Sequence, residues 1–279
     1  MSYTTFIKPA EAHALSGDVL FIDCSFALAD KEWGKNEYAQ AHIPGALYAD
    51  LDKDLSGKII AGETGRHPLP QKQDLVATFT SWGITASTQV VAYDAAAGFM
   101  AAARLWWLLK WAGHDKVAVL EGGKKAWTTA GYPLDNKIVT PAAKPFTAQF
   151  RDELLADAED VLASMKEGNS CVIDSRTADR YAGQNETIDP VAGHIPQALS
   201  RPFNANIAAD GTVAAPDAVK QYFAKDFEKG NVIFYCGSGV TAAFNVLLAE
   251  YAGYPLPKLY AGSWSEWITD KNRPVAVGE

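Results

Sequence analysis

Short apolar runs, several closing on an acidic residue, alternate along this chain with longer stretches of helical spacing. Val19-Leu20-Phe21-Ile22-Asp23 and Cys171-Val172-Ile173-Asp174 are nearly all apolar, the pattern of strands buried on both faces of a parallel sheet. Val90-Val91-Ala92-Tyr93-Asp94 and Val232-Ile233-Phe234-Tyr235-Cys236 form a second such pair, and each leads through glycine into an apolar stretch predicted helical, Met100 to Trp111 and Ala242 to Tyr251. Gly113 and Gly253 follow those stretches, where a helix C-terminus favours glycine. Alternation of this kind predicts α/β architecture, a mainly parallel sheet flanked by helices on both faces.

The signals come in pairs because the chain repeats itself at about half its length. Ala41-His42-Ile43-Pro44-Gly45-Ala46 is answered by Gly193-His194-Ile195-Pro196-Gln197-Ala198, and Gly122 to Trp127 matches Gly262 to Trp267 at a constant offset of 140 positions. Pro133 to Pro145 carries three prolines and no periodicity, as a linker does. Two tandem domains follow, residues 1–141 and 142–279. His42 and His194 occur in both halves, so they are expected to pack loops rather than do chemistry, and Asp23 and Asp174 are expected to anchor loops. The run Arg104-Leu105-Trp106-Trp107 reads as packing or domain interface.

Composition narrows the function classes. A chain of 279 residues with 48% hydrophobic and 21% charged content is long enough for two cores without staples. Its net charge of −8 has the wrong sign for a nucleic-acid partner. Three cysteines, at 24, 171 and 236, form no disulfide framework and suit a reducing compartment. Met1 to Gly17 lacks a basic region followed by an apolar core, and Val90 to Gly113 is broken by Asp94, Arg104 and Lys110; neither a secretory signal nor a membrane span is expected. The reading is a cytoplasmic protein.

Candidate chemistry concentrates at Cys236-Gly237-Ser238-Gly239-Val240-Thr241. In an open parallel sheet ligands bind beyond the carboxyl ends of strands, and here a strand ends at a cysteine that enters a Gly-rich loop and a helix. Glycines allow backbone N–H groups to converge on one point, and the helix start adds its positive end. Such a loop favours a thiolate, the nucleophilic form of cysteine. Cys24 and Cys171 flank strands without such a loop and read as structural. A phosphatase of the Cys-x5-Arg type is excluded, because after five intervening residues, 237–241, the chain has Ala242 where that motif needs arginine. The first half carries Asp94 where the second has Cys236, so it is expected to be non-catalytic, with the aspartate complementing a helix start.

These residues carry a resemblance. The paired His-Ile-Pro loops, Asp174-Ser175-Arg176 and the closing Gly262-Ser263-Trp264-Ser265-Glu266-Trp267 resemble a two-domain sulfurtransferase of the rhodanese family along nearly the whole chain. The loop at 236–241 is similar to that of the 3-mercaptopyruvate sulfurtransferases, whereas typical thiosulfate sulfurtransferases carry basic residues at the positions of Gly237 and Ser238. The resemblance implies a ping-pong reaction in which Cys236 takes sulfur from a small donor, becomes a persulfide, and passes that sulfur to a thiol or cyanide, with thioredoxin the acceptor the family suggests. It implies no metal and no organic cofactor, and a wall of the site supplied by the first half. Ser238 would join His67 and Asp52 in a relay, the backbone of Gly237, Gly239, Val240 and Thr241 would line the anion site, and Arg180 would hold the donor's anionic end.

The resemblance also has a gap. Better-known mercaptopyruvate enzymes carry a second arginine in the next loop, and Gln184 to Val191 contains none. Arg201 either replaces that charge or forms a structural ion pair. Two other readings stay open at this level: a thiosulfate donor, and a persulfide-carrying module without turnover.

Overall fold

A computed structural model of the chain describes residues 2–278. It contains two five-stranded, all-parallel sheets. The first comprises β1 (Phe6–Ile7), β2 (Val19–Asp23), β3 (Leu47–Tyr48), β4 (Gln89–Tyr93) and β5 (Val117–Leu120); the second comprises β6 (Leu155–Ala156), β7 (Cys171–Asp174), β8 (Leu199–Ser200), β9 (Val232–Tyr235) and β10 (Lys258–Tyr260). The strand orders, β1-β5-β4-β2-β3 and β6-β10-β9-β7-β8, are the same permutation. The repeat in the sequence is therefore a repeat of topology, with β4 and β9 central.

Every residue of β4, β5, β7 and β9 is buried, as continuous apolar runs require when helices cover both faces. In the first sheet Val91, Tyr93, Ala118 and Leu120 pack with Tyr38 and Trp127; in the second Val172, Ile233 and Tyr235 pack with Trp264 and Trp267. The expected helices appear as Ala101–Trp111 and Thr241–Tyr251, and each is followed by a glycine of positive φ, Gly113 at 88° and Gly253 at 84°. Trp106 and Trp107 are fully buried in the first of these helices.

The His-Ile-Pro loops are built alike. His42 stacks on Tyr38 with its Nδ1 2.6 Å from the Tyr38 carbonyl, and His194 stacks on Tyr181 with its Nδ1 2.8 Å from the Tyr181 carbonyl. The next N–H in each loop, of Ile43 or Ile195, donates to the hydroxyl of Tyr93 or Tyr235 at the end of the central strand. Asp23 and Asp174 accept from the N–H two residues on, closing the turn after β2 and β7.

The chain divides into two compact units that exchange segments. One runs up to Gly57 and resumes over Pro70–Arg151 and Ile207–Val213; the other comprises Lys58–Leu69, Asp152–Asn206 and everything from Ala214 on. The backbone of Lys144, Gln149 and Arg151 donates to Thr80, Ala112 and Trp111, which keeps this irregular stretch on the first unit. No helix among the described residues is long and apolar enough to cross a membrane.

Because each loop histidine is held by a stacked ring and a carbonyl, His42→Ala and His194→Ala are each expected to lower stability by about 2 kcal/mol, read as a lower urea midpoint at unchanged slope.

Candidate active site

Cys236 leaves the carboxyl end of β9, the central strand of its sheet. The strand stops one residue earlier than the apolar run suggests, for a local reason. The Cys236 N–H donates to Ser263 Oγ at 3.1 Å, and the Cys236 carbonyl accepts from Trp264 N–H at 2.9 Å. Both peptide groups are thereby drawn out of the ladder. The Gly237 carbonyl accepts from Ser265 N–H, also at 2.9 Å.

The helix Ser263–Trp267 thus opens by taking two loop carbonyls, which removes their negative ends from the concave side of the loop. Ser263 adopts φ 56° to do this and also donates to the Tyr260 carbonyl at 2.8 Å. A non-glycine residue in the left-handed region carries strain, so the hydroxyl contact with Cys236 is held at a cost.

Gly239, at φ 75°, approaches the Ala261 carbonyl so closely that a Cβ would sit 2.4 Å from it. No side chain fits there. Val240 precedes the helix Thr241–Tyr251, and Cys236, Ser238 and Val240 are all buried. The other two cysteines are buried as well, and burial pushes both thiols up, that of Cys171 to about 11. Asp23, Asp94 and Asp54 raise Cys24 further.

The matching loop of the first unit holds an anion of its own. There the Asp94 carboxylate accepts from four backbone N–H groups, of Ala96 and Gly98 on Oδ1 at 2.9 and 2.8 Å, and of Met100 and Ala102 on Oδ2 at 3.2 Å each. The loop is an anion nest filled by its own side chain. Burial pushes this carboxyl above the ordinary range, and the N–H groups offset part of that. Gly123, at φ 58°, and Lys124, whose N–H donates to the Asp94 carbonyl at 3.2 Å, stand where the second unit has Ser263 and Trp264. Segment Ile207–Val213 covers this loop: a Cβ on Gly211 would lie 3.1 Å from that of Ala97, and Val213 N–H donates to Glu121.

Segment Lys58–Leu69 brings two residues to the Cys236 loop. Its backbone docks on the closing turn, with Arg66 N–H donating to Ser265 Oγ at 3.0 Å and Gly65 so close that a Cβ would lie 2.6 Å from the Gly262 carbonyl. His67 is buried with Nδ1 2.9 Å from Ser238 Oγ, so this pair of the expected relay is brought together. Asp52 belongs to the first unit, where it pairs with Lys31 at 2.6 Å.

Arg66 is the residue that sequence reasoning missed. Its Nη2 lies 3.1 Å from the Cβ position of Gly237, beside Nη2 and Nη1 of Arg180 at 3.5 and 3.6 Å from the same point. Two guanidinium groups therefore flank the residue after Cys236. Arg180 is held by Glu186, through Nε and Nη2 at 3.0 Å each, and by Asp189 Oδ2 at 3.0 Å; Arg66 Nη1 takes Asp189 Oδ1 at 2.5 Å. Glu186 also meets Arg176 at 3.3 Å, and Arg176 is paired with Asp174 at 2.6 Å. Burial would raise the Glu186 carboxyl, but the N–H groups of Asp189 and Ile188 and the Arg180 guanidinium bring it below its usual range.

Of the two alternatives for Arg201, the structure shows the ion pair. Its Nε and Nη2 each bond Asp226 at 2.8 Å, and the guanidinium lies over Tyr222. Both arms of its fork are committed to that pair, whereas the guanidinium beside Gly237 in addition to that of Arg180 is that of Arg66. Among the described residues no group of three or more His, Cys, Asp or Glu side chains is placed to hold a metal ion.

A model of the rhodanese-like domain matches residues 8–130 and again 157–270. Over 266 residues, 94% of this chain and 93% of the relative, the sequence is 44% identical to a probable 3-mercaptopyruvate sulfurtransferase of Pseudomonas aeruginosa. It is 38% identical over 270 residues, 94% of this chain and 93% of the relative, to a putative thiosulfate sulfurtransferase of Mycobacterium tuberculosis. Among solved structures, a 3-mercaptopyruvate sulfurtransferase from Leishmania major superposes with a TM-score of 0.83 at 28% identity, covering 95% of this chain and 74% of that one.

Removing the Ser263 hydroxyl leaves the buried Cys236 N–H without its acceptor, so Ser263→Ala is expected to cost about 1–3 kcal/mol. Ser263→Gly loses the same acceptor but relieves the left-handed strain, and is expected to be less damaging by about 1 kcal/mol. Chemical denaturation followed by tryptophan fluorescence orders the two variants.

Proposed function

Because this chain belongs to the rhodanese family, we propose that it is a sulfurtransferase that moves sulfur from 3-mercaptopyruvate, through a persulfide on Cys236, to a thiol or cyanide. The observation that carries this reading is the grouping at one loop of a cysteine at the end of the central strand, the Ser238–His67 pair and the guanidiniums of Arg66 and Arg180. A planar guanidinium pair suits the donor's carboxylate. The serine suits its carbonyl.

In the first half-reaction the Cys236 thiolate attacks the donor's sulfur. An S–S bond forms, the C–S bond breaks, and its electron pair passes to the pyruvate enolate, which is quenched by a proton. With His67 Nδ1–H donating to Ser238 Oγ, the serine O–H is left to donate to the oxygen on which the enolate charge develops. Asp52 is proposed as the third member of this relay, orienting His67. The persulfide is an anion in the same nest of N–H groups, from Gly237, Gly239, Val240 and Thr241, that is proposed to favour the thiolate. In the second half-reaction an acceptor thiolate or cyanide attacks the outer sulfur and restores the Cys236 thiolate; a thioredoxin-type dithiol fits this role. Three free, buried cysteines support a cytoplasmic location.

Thiosulfate is the second reading, because the same guanidiniums also suit a sulfonate. Intact-protein mass spectrometry after brief exposure to each donor tests the proposal. One sulfur gained with stoichiometric pyruvate from mercaptopyruvate, and lost in Cys236→Ser, is the expected result. Faster loading by thiosulfate with sulfite released favours the second reading. Sulfur gain without turnover in the presence of thiols would make the chain a carrier.

Two kinetic outcomes follow. Arg180→Ala and Arg66→Ala are each expected to raise the donor KM about tenfold or more, a charge-assisted contact being lost. Ser238→Ala is expected to lower kcat with mercaptopyruvate about 100-fold while sparing thiosulfate, since sulfite leaves with its charge already on oxygen.

A further inference from the structure

We propose that Asp189 is a positioning residue that sets the charge of the donor clamp and so decides between singly and doubly charged donors; this rests on the sulfurtransferase reading. Its carboxylate bridges the two guanidiniums beside Gly237, Oδ1 to Arg66 at 2.5 Å and Oδ2 to Arg180 at 3.0 Å. It is almost fully buried, with 2% of its side chain exposed. A charge so placed is little screened by salt or water.

The bridge ends an unbroken ladder, Asp174–Arg176–Glu186–Arg180–Asp189–Arg66, in which every rung is an ion pair. Three guanidiniums face three carboxylates, so the ladder as a whole is neutral. A donor arriving at Gly237 meets two guanidinium forks that supply directed N–H groups but little net positive charge. Those forks satisfy a single carboxylate. The second charge of thiosulfate gains nothing comparable.

The two arginines of the clamp differ at Nε. The Nε of Arg66 is buried and has no hydrogen-bond partner, whereas the Nε of Arg180 is committed to Glu186. Asp189 holds the Arg66 fork by Nη1, which leaves Nη2, near Gly237, for the donor. The bridge thus fixes the direction of the fork as well as its charge.

The experiment compares kcat/KM for thiosulfate and for 3-mercaptopyruvate in the unaltered protein, Asp189→Asn and Asp189→Glu. Asp189→Asn adds one positive charge to the clamp at constant shape, and the thiosulfate-to-mercaptopyruvate ratio is expected to rise about tenfold. Asp189→Glu keeps the charge and disturbs the geometry, so it is expected to lower both rates with the ratio within about threefold of the original. A ratio unmoved in Asp189→Asn, or moved equally in both variants, overturns the proposal while the sulfurtransferase reading stands. Loading of Cys236 by neither donor in the unaltered protein overturns both.

One measurement needs no variant. In the unaltered protein, sulfate is expected to inhibit mercaptopyruvate turnover no more tightly than pyruvate does. Inhibition by sulfate tighter than pyruvate by tenfold or more overturns the proposal.

Discussion

The peptide groups of Cys236 and Gly237 are held by the turn that opens the helix Ser263–Trp267, and the rest of the site depends on that hold. A loop that is to carry an anion must turn its N–H groups inward and its carbonyls elsewhere. Here two carbonyls are taken by the N–H groups of Trp264 and Ser265, donors that a helix start leaves without intrahelical partners. The same turn anchors Arg66 through Ser265 Oγ and accepts the close approach of Gly65. One short turn therefore orients the loop and positions the segment that carries Arg66 and His67. The left-handed strain at Ser263 is stored where a single contact serves both ends.

The two halves show how one scaffold yields different outcomes when the loop after the central strand changes. In the first, Asp94 supplies the anion that its own loop binds, four N–H groups close on it, and Ile207–Val213 lies over the result. In the second, a cysteine stands at the same place and a segment rich in polar chemistry lies over the loop. A carboxylate occupies its nest permanently, whereas sulfur can be added and removed. The filled nest is thus the internal reference for the proposed persulfide site, on the same fold and in the same chain.

Much of this was legible in the sequence. The strands β2 and β7 fall at the runs that end in aspartate, the helices Ala101–Trp111 and Thr241–Tyr251 begin within a residue of the expected start, and His42 and His194 pack loops as their repetition implied. These features are local, set by apolar period and by glycine. Ser238 and His67 were paired only through the resemblance, since 171 positions separate them. Arg66 was passed over because nothing near it in the sequence announces an anion site; its partner Asp189 is 123 positions away. Arg201 is a cation close in sequence to the His194 loop, but a cation's use depends on which carboxylate reaches it, and Asp226 does. For the same reason the ladder through Glu186 and Asp189 was invisible: charge content is written in the sequence, whereas charge pairing is a property of the fold.

The exchange of segments has a consequence for how the chain is made. Arg66 is synthesised 199 residues before the Ser265 hydroxyl on which its backbone docks, which at ribosomal speeds is an interval of roughly 10 to 40 s. During that time the segment from Lys58 to Leu69 lacks the unit it belongs to, and it carries Ile59 and Ile60, both exposed even in the finished fold. The first unit has a similar debt, because Ile207–Val213 emerges long after β5. The first unit is incomplete when its own half of the chain has left the ribosome, whereas the second finds its early segment already made. The first unit therefore gains its last segment only when residues 207–213 emerge, and the loop at Cys236 gains its backing only after the helix Ser263–Trp267 has been released.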